Sequence, residues 1–321
     1  MTDREGHAQA AVGRTPLKVG MIGVSEGNGH PFSFSAIING YSDEGMARSG
    51  WDGIHAYLRQ RDVTEFGGLG MRVTHAWTQE PDTTQRLAAA CGIDEVVGAP
   101  AEMLGHVDAV VIARDDHENH AELAMPFLDA GLPVFVDKPL TLDLDELRTF
   151  APYLRSGQLT SCSGMRFAKE LDAPRAEWPA YGTVRLVRGA ILNDWARYGV
   201  HLVDGIFGVT RARPLSVRAL PSPHASVAAE MDDGSLLQLD ALGDVGRCFR
   251  FEFYGTGRIS AHEVTDNFSM FRRLMHRFAR SLRGEGPVVD PEDALRSLRF
   301  LVAGRLAMEN GEQVSMEDVR V

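Results

Sequence analysis

Leu132-Pro133-Val134-Phe135-Val136-Asp137-Lys138-Pro139 is the stretch whose reading decides the fold. Its short apolar run, bounded by proline, has the composition of a central strand buried on both faces of a parallel sheet. A carboxylate, an amine and a proline follow at the carboxyl end of that strand, which is where open α/β sheets place their ligands. Pro139 confines the backbone of Lys138 to extended conformations. A lone Lys-Pro pair also reads as a solvated strand end, so the role of Lys138 rests on the elements around it.

Upstream of this strand the pattern alternates between strand and helix. Residues 17–24 predict a first strand that reaches Gly23. The loop Ser25-Glu26-Gly27-Asn28-Gly29-His30-Pro31 and a short helix over 33–40 come next. Strand, glycine-rich loop and helix is the layout that turns backbone N–H groups and a helix N-terminus towards a pyrophosphate. The strict Gly-x-Gly-x-x-Gly spacing is not met: counted from Gly23, the second glycine position holds Ser25 and the third holds Asn28. Gly27 and Gly29 still permit a tight turn. A glycine-rich turn without a ligand is the competing reading.

Residues 41–70 delay the second strand and read as an insertion, either a flap near the nucleotide or substrate or a surface elaboration. Residues 72–78 predict the second strand. Its end carries Thr78 and Gln79 where an acid gripping a ribose would stand, a pair that does not choose between NAD and NADP. A helix over 81–90 stops at Gly92. Residues 107–113 predict another buried strand, ending in Arg114-Asp115-Asp116-His117-Glu118-Asn119-His120. That cluster matches no metal-ligand spacing, and acids ahead of a helix commonly act as caps, so no metal is expected. A helix over 121–130, the opening strand, a helix over 142–154 and a last strand over 158–163 complete a parallel sheet with right-handed crossovers.

The second half changes character. Residues 183–190, 215–220, 226–231, 235–242 and 247–254 read as short alternating strands of an antiparallel sheet with one face covered. Helices near 199–207, 266–283 and 291–310 cover it. The expected class is α/β: an N-terminal Rossmann dinucleotide-binding domain over 17–163 plus a C-terminal α+β domain with a mostly antiparallel sheet over 164–321, behind a disordered lead over 1–16.

Composition agrees with this architecture. The chain has 321 residues, 44% hydrophobic and 24% charged, which suits two domains with sizeable cores. Its formal net charge of -11 argues against nucleic acid and against an anionic membrane as partners. Cys91, Cys162 and Cys248 form neither a disulfide framework nor a zinc motif, as in a reducing cytoplasm. No apolar run approaches the roughly 20 residues of a spanning helix.

In this order, the glycine loop, Asp137-Lys138-Pro139, Met165-Arg166-Phe167 and Gly199-Val200-His201-Leu202-Val203-Asp204 resemble the Gfo/Idh/MocA oxidoreductases, of the glucose–fructose oxidoreductase and inositol dehydrogenase type. The family's usual Glu-Lys-Pro is here Asp137-Lys138-Pro139, and its Gly-x-His-x-x-Asp is matched by Gly199, His201 and Asp204. The resemblance implies NAD or NADP as cofactor and hydride transfer to or from a hydroxyl or ketone carbon. The substrate would be a sugar, a cyclitol or a related small molecule, anionic ones included. Homodimers or tetramers would form through the C-terminal sheet.

The resemblance also implies site residues. Lys138 and His201 are the catalytic candidates, one to hold the substrate oxygen and one to carry its proton. A core histidine bonded to Asp204 is the other reading of His201. Gly23, Ser25, Gly27, Asn28, Gly29, His30, Thr78, Gln79, Arg114, Asp115, His120, Asp137 and Lys138 are the cofactor candidates. Arg166, Trp195, Arg197 and Asp204 are the substrate candidates. The family usually carries an aspartate four residues before the histidine; here that position is Arg197, which cannot act as a base. Asp194 and Tyr198 are the possible replacements. Two other activities fit the same pattern: a redox-neutral glycosidase or lyase using tightly held NAD, and a non-catalytic protein binding a dinucleotide or sugar ligand.

Overall fold

A computed structural model describes residues 15–321, so most of the expected disordered lead lies outside the described residues. In the first half, β1 (Leu17–Ile22) leads into α1 (His30–Asn39), followed by α2 (Asp43–Ala47), α3 (Asp52–Leu58) and β2 (Met71–Trp77). Then come α4 (Pro81–Cys91), β3 (Glu95–Val96), β4 (Ala109–Ile112), α5 (His120–Asp129), β5 (Val134–Val136), α6 (Leu144–Ser156) and β6 (Leu159–Thr160). The six strands form one parallel sheet in the order β3-β2-β1-β4-β5-β6. The chain reverses direction between β1 and β4, and the crevice at such a switch point is where doubly wound sheets bind ligands.

The apolar run at 134–136 is fully buried as the strand beside β4. α1 starts earlier than its periodicity suggests, because Pro31 fits the first turn, where a missing N–H costs nothing. Residues 41–70 hold α2 and α3. α2 packs on α4 so closely that a Cβ on Gly45 would lie 2.9 Å from the Ala90 backbone. α3 lies over the loop after β1, and a Cβ on Gly29 would meet the Trp51 ring at 2.4 Å.

In the second half, α7 (Asp172–Ala176), β7 (Val184–Ile191) and α8 (Trp195–Phe207) precede β8 (Pro214–Ala219), β9 (Ala225–Met231), β10 (Leu236–Ala241), β11 (Phe249–Gly255) and β12 (Ile259–Glu263). α9 (Asn267–Ser281), α10 (Pro291–Asn310) and β13 (Val314–Ser315) finish the chain. The seven strands run β12-β11-β7-β10-β9-β8-β13, antiparallel except for the central pair β7 and β10, which is parallel. That pairing requires a crossover, and α8 lies within it. α8 and α10 pack on one face of the sheet. On the other face Gln238, Arg188 and Glu252 stand in one cross-strand row. No described helix is long and apolar enough to cross a membrane.

The two halves share a core. Phe135 of β5 is fully buried, with ring centroids 6.2 Å from Phe34 of α1 and 5.7 Å from Phe278 of α9. Truncating it opens a cavity between halves that cannot easily collapse. Phe135→Ala is expected to cost about 3–5 kcal/mol in urea unfolding, and the smaller truncation Phe135→Leu less than that.

Candidate active site

The carboxyl ends of β1, β4 and β5 bring together residues far apart in the sequence. After β1, the turn 25–28 is closed by a hydrogen bond from Asn28 N to Ser25 O of 3.0 Å. Gly27 occupies the left-handed region at φ 74°, with open space where a Cβ would stand. Asn28, at the third glycine position, is buried: its Nδ2 donates to Asp137 Oδ2 at 3.0 Å and its Oδ1 accepts from His30 N at 2.8 Å. His30 Nδ1 also meets Asp137 Oδ2, at 2.5 Å, while Asp137 Oδ1 accepts from Lys138 N at 2.9 Å. Burial pushes the Asp137 carboxyl up, but the charge and hydrogen bond of His30, with Lys138 and Asn28, outweigh it and hold it below its ordinary value.

Asp115, at the end of β4, is the centre of a second cluster. It accepts from Ser25 Oγ at 2.6 Å, Lys138 Nζ at 3.3 Å and Arg197 Nη2 at 2.8 Å. Burial would raise its pKa; the Lys138 charge, then the Arg197 and Ser25 hydrogen bonds, reverse that and hold it well below the usual carboxylate range. Arg197 Nη2 also donates to Glu26 O at 2.6 Å, so a residue of α8 reaches across to the glycine turn. Lys138 Nζ lies 5.6 Å from the centre of the Tyr198 ring, and that ring stands 5.3 Å from His201. His201 Nδ1 is 2.6 Å from Ser163 Oγ. Burial, then the positive charge of Lys138 and His30, pushes the His201 pKa well down, so its imidazole is neutral near pH 7.

These groups line a cavity of about 180 Å³. Its polar wall includes Asn28, His30, Asp115, Lys138, Tyr198 and His201. Its apolar wall includes Trp51, Ile54 and Tyr57 from the 41–70 segment, and Met165, Met270 and Phe271 from the second half. A wider cleft of about 900 Å³ opens beside α7 and the carboxyl end of α8, away from Lys138 and His201. Met165 stood in a motif and Trp51, Ile54 and Tyr57 lie in the segment that reads as an insertion; Met270 and Phe271 carried no signal beyond helical spacing, which core residues share.

Several candidates sit elsewhere. Trp195 does not face the cavity: it is buried against Gly199 and Gly304, and its Nε1 donates to Leu301 O at 3.1 Å. Arg166 and Asp204 are a buried ion pair, with Arg166 Nη2 2.9 Å from Asp204 Oδ1. Asp204 also accepts from Ser163 N at 2.6 Å and Ser297 Oγ at 2.9 Å, so these charges are spent on holding α8 and α10 together. Asp204 consequently does not bond His201; Ser163 does. Asp194 caps α8, accepting from Arg197 N at 2.8 Å. His120 is fully buried with its two ring nitrogens 2.9 Å from Leu140 O and Arg114 O, joining loops rather than meeting a ligand.

The remaining cofactor candidates flank the β1 loop. Arg114 pairs with Asp116, and its aliphatic chain fills the space above Gly23, where a Cβ would lie 2.2 Å from Arg114 Cγ. Thr78 is buried and bonds to Glu80 O and Thr84. Gln79 holds both the N–H and the carbonyl of Val24. Among the described residues no group of three His, Cys, Asp or Glu could hold a metal ion.

A parallel sheet with a glycine turn at its switch point, joined to a second mixed sheet that delivers a histidine beside a strand-end lysine, defines a two-domain protein of the dinucleotide-dependent dehydrogenase fold. Residues 17–162 match the model of the Gfo/Idh/MocA oxidoreductase family, described as an NAD-binding Rossmann fold. The whole chain shares its fold with myo-inositol 2-dehydrogenase from Lactobacillus plantarum, at a TM-score of 0.72 and 17% identity over 94% of this chain and 99% of that one. The same holds for scyllo-inositol dehydrogenase from Lactobacillus casei, solved with NAD(H) and scyllo-inositol, at a TM-score of 0.72 and 16% identity over 94% and 99%. In sequence, 140 residues are 30% identical to a protein of Amycolatopsis mediterranei (strain S699) provisionally described as a UDP-kanosamine synthase oxidoreductase subunit. That match covers 43% of this chain and 37% of the relative.

Two measurements test the electrostatics. Asp204→Ala strands the buried Arg166 charge and is expected to cost about 3–5 kcal/mol in urea unfolding; a loss under about 1 kcal/mol would mean the pair is solvated. His201, neutral in the fold, contributes stability that is lost as pH falls below the unfolded imidazole's value of about 6.5, because the unfolded chain then binds a proton that the native chain does not. The slope approaches about 1.4 kcal/mol per pH unit. His201→Gln should therefore narrow the gap between urea midpoints at pH 7.5 and 5.5 relative to the parent, and an unchanged gap would refute the buried neutral imidazole.

Proposed function

We propose that the chain is an NAD(P)-dependent oxidoreductase acting on a secondary hydroxyl, or the matching ketone, of a small sugar or cyclitol. One observation carries this reading: Lys138 of the Rossmann half and His201 of α8 line one cavity beside the glycine turn, in a chain whose first half matches the model of an NAD-binding oxidoreductase family. The inositol dehydrogenases that share the fold, and the sequence relative described in terms of a sugar nucleotide, support the substrate class. The proposed division of the chain runs near residue 163, with 41–70 inserted in the cofactor half. Self-association would use the sheet face that carries Arg188 and Glu252.

The residues present fit a dinucleotide. Gly27 leaves open space at the turn, and the cavity adjoins it at the carboxyl ends of β1 and β5. Gly27, Asn28 and His30 would flank the cofactor there, on the floor set by Asp137. When bound, the nicotinamide supplies the hydride acceptor or donor.

The chain's own groups handle the proton and the oxygen. As an ammonium, Lys138 has three donors, of which one faces Asp115, leaving others for the substrate oxygen. His201 is neutral and can accept the hydroxyl proton at Nε2, in the tautomer whose Nδ1–H donates to Ser163 Oγ. Ser163 thereby orients the ring, the task an acid would otherwise perform. Asp194, engaged as a helix cap, takes no part. The Tyr198 ring neighbours both Lys138 and His201.

NADH and NADPH fluorescence titrations, followed by turnover of a panel including myo-inositol and UDP-glucose, test the proposal. Lys138→Ala is expected to lower kcat/KM by about 100-fold or more, with the cofactor Kd within about threefold of the parent. Undiminished turnover in that variant would discard the role of Lys138. A parent that binds neither nucleotide would discard the reading as a whole.

A further inference from the structure

Arg197 stands where the family usually has a carboxylate, and its surroundings give it a different chemistry. It lies in the first turn of α8, yet its guanidinium crosses to the other half of the molecule. There Nη2 donates to the Glu26 carbonyl at the tip of the glycine turn and to Asp115. A guanidinium has five N–H donors in a planar fork. Among the described residues the protein engages Nη2 alone: Nε is buried without an acceptor, and Nη1 has none. Nη1 is not buried and the side chain is 38% exposed, so the two N–H donors of Nη1 are open to a ligand.

Two cations, Lys138 and Arg197, face one carboxylate, Asp115. Ser25, at the second glycine position, donates its hydroxyl to Asp115 and accepts from Asp115 N. A cation whose Nη1 donors are free beside a glycine turn is complementary to a phosphate oxygen.

We propose that Arg197 is a diphosphate-binding residue. Its free Nη1 donates to the diphosphate of a nucleotide lying on the 25–28 turn, from the opposite half of the chain. This rests on the nucleotide-dependent reading above. A diphosphate can come from the cofactor or from a sugar-nucleotide substrate, and the two sources are separable.

Calorimetric titrations of the full chain with ADP-ribose and adenosine, and with UDP-glucose and uridine, give the test, comparing the parent with Arg197→Met and Arg197→Lys. Arg197→Met is expected to weaken a diphosphate ligand by about 10- to 100-fold while leaving its nucleoside within about twofold. Arg197→Lys should recover part of the loss, since it restores charge without the fork. Loss confined to ADP-ribose assigns the clamp to the cofactor; loss confined to UDP-glucose assigns it to the substrate; both support the proposal. An Arg197→Met protein with parental Tm that binds both diphosphates within twofold of the parent overturns it. Equal weakening of ligand and nucleoside also overturns it, since that marks collapse of the turn rather than loss of a phosphate contact. A parent that binds NADH, in which Arg197→Met leaves both ADP-ribose and UDP-glucose within twofold, would leave the cofactor reading standing while this one falls.

Discussion

One carboxylate, Asp115, couples the parts of the site. It comes from the end of β4 and is shared between a lysine at the end of β5, a serine in the turn after β1 and an arginine on α8. A buried acid with a single partner is a doubtful source of stability, because desolvation offsets the attraction. Asp115 has two cations and a hydroxyl, and its depressed pKa expresses that surplus of stabilisation. The carboxylate therefore fixes where Lys138 points, and it draws α8 onto the glycine turn. An acid, Asp115, stands on the Rossmann side of the cavity and a cation, Arg197, on the helix side.

Packing reinforces this coupling. Phe34, Phe135, Phe271 and Phe278 form a continuous aromatic cluster that joins α1 and β5 of the first half to α9 of the second. His30 lies at its edge, stacked on Phe34 at 5.0 Å while bonded to Asp137. The polar floor of the cavity and the apolar seam between the halves are thus the same structure seen from two sides. The Arg166–Asp204 pair anchors the far side of α8 and sets the depth at which His201 enters the cavity.

The fold was legible because its signals are local. A buried run such as 134–136, a helix stopped by Gly92, and the alternation of Phe249, Phe251 and Phe253 each announce themselves within a few residues. The parallel pairing of β7 with β10 was not legible, since strand partners lie outside any local window. The site divides in the same way. Lys138 and His201 could be named from motifs. The pairing of Asp115 with Arg197, 82 positions apart, and of Arg166 with Asp204, 38 apart, exists only after folding. Asp194 carried a local clue, an acid directly ahead of a helical run, that reads as a cap once the helix is seen to begin at Trp195. Trp195 misled because its amphipathic ring suits a sugar face and a core equally well.

The roof contributed by α3 has a consequence for how such a cavity can be re-shaped. Trp51, Ile54 and Tyr57 come from one contiguous segment between two Rossmann elements, whereas Lys138 and His201 come from a strand end and α8. The ceiling of the cavity and its charged wall thus sit on different stretches of chain. Gly29, bare beneath the Trp51 ring, is the socket that receives that ceiling. A change of ring size at Trp51 would reshape the cavity without touching a partner of Asp115, provided the new side chain still fits over Gly29.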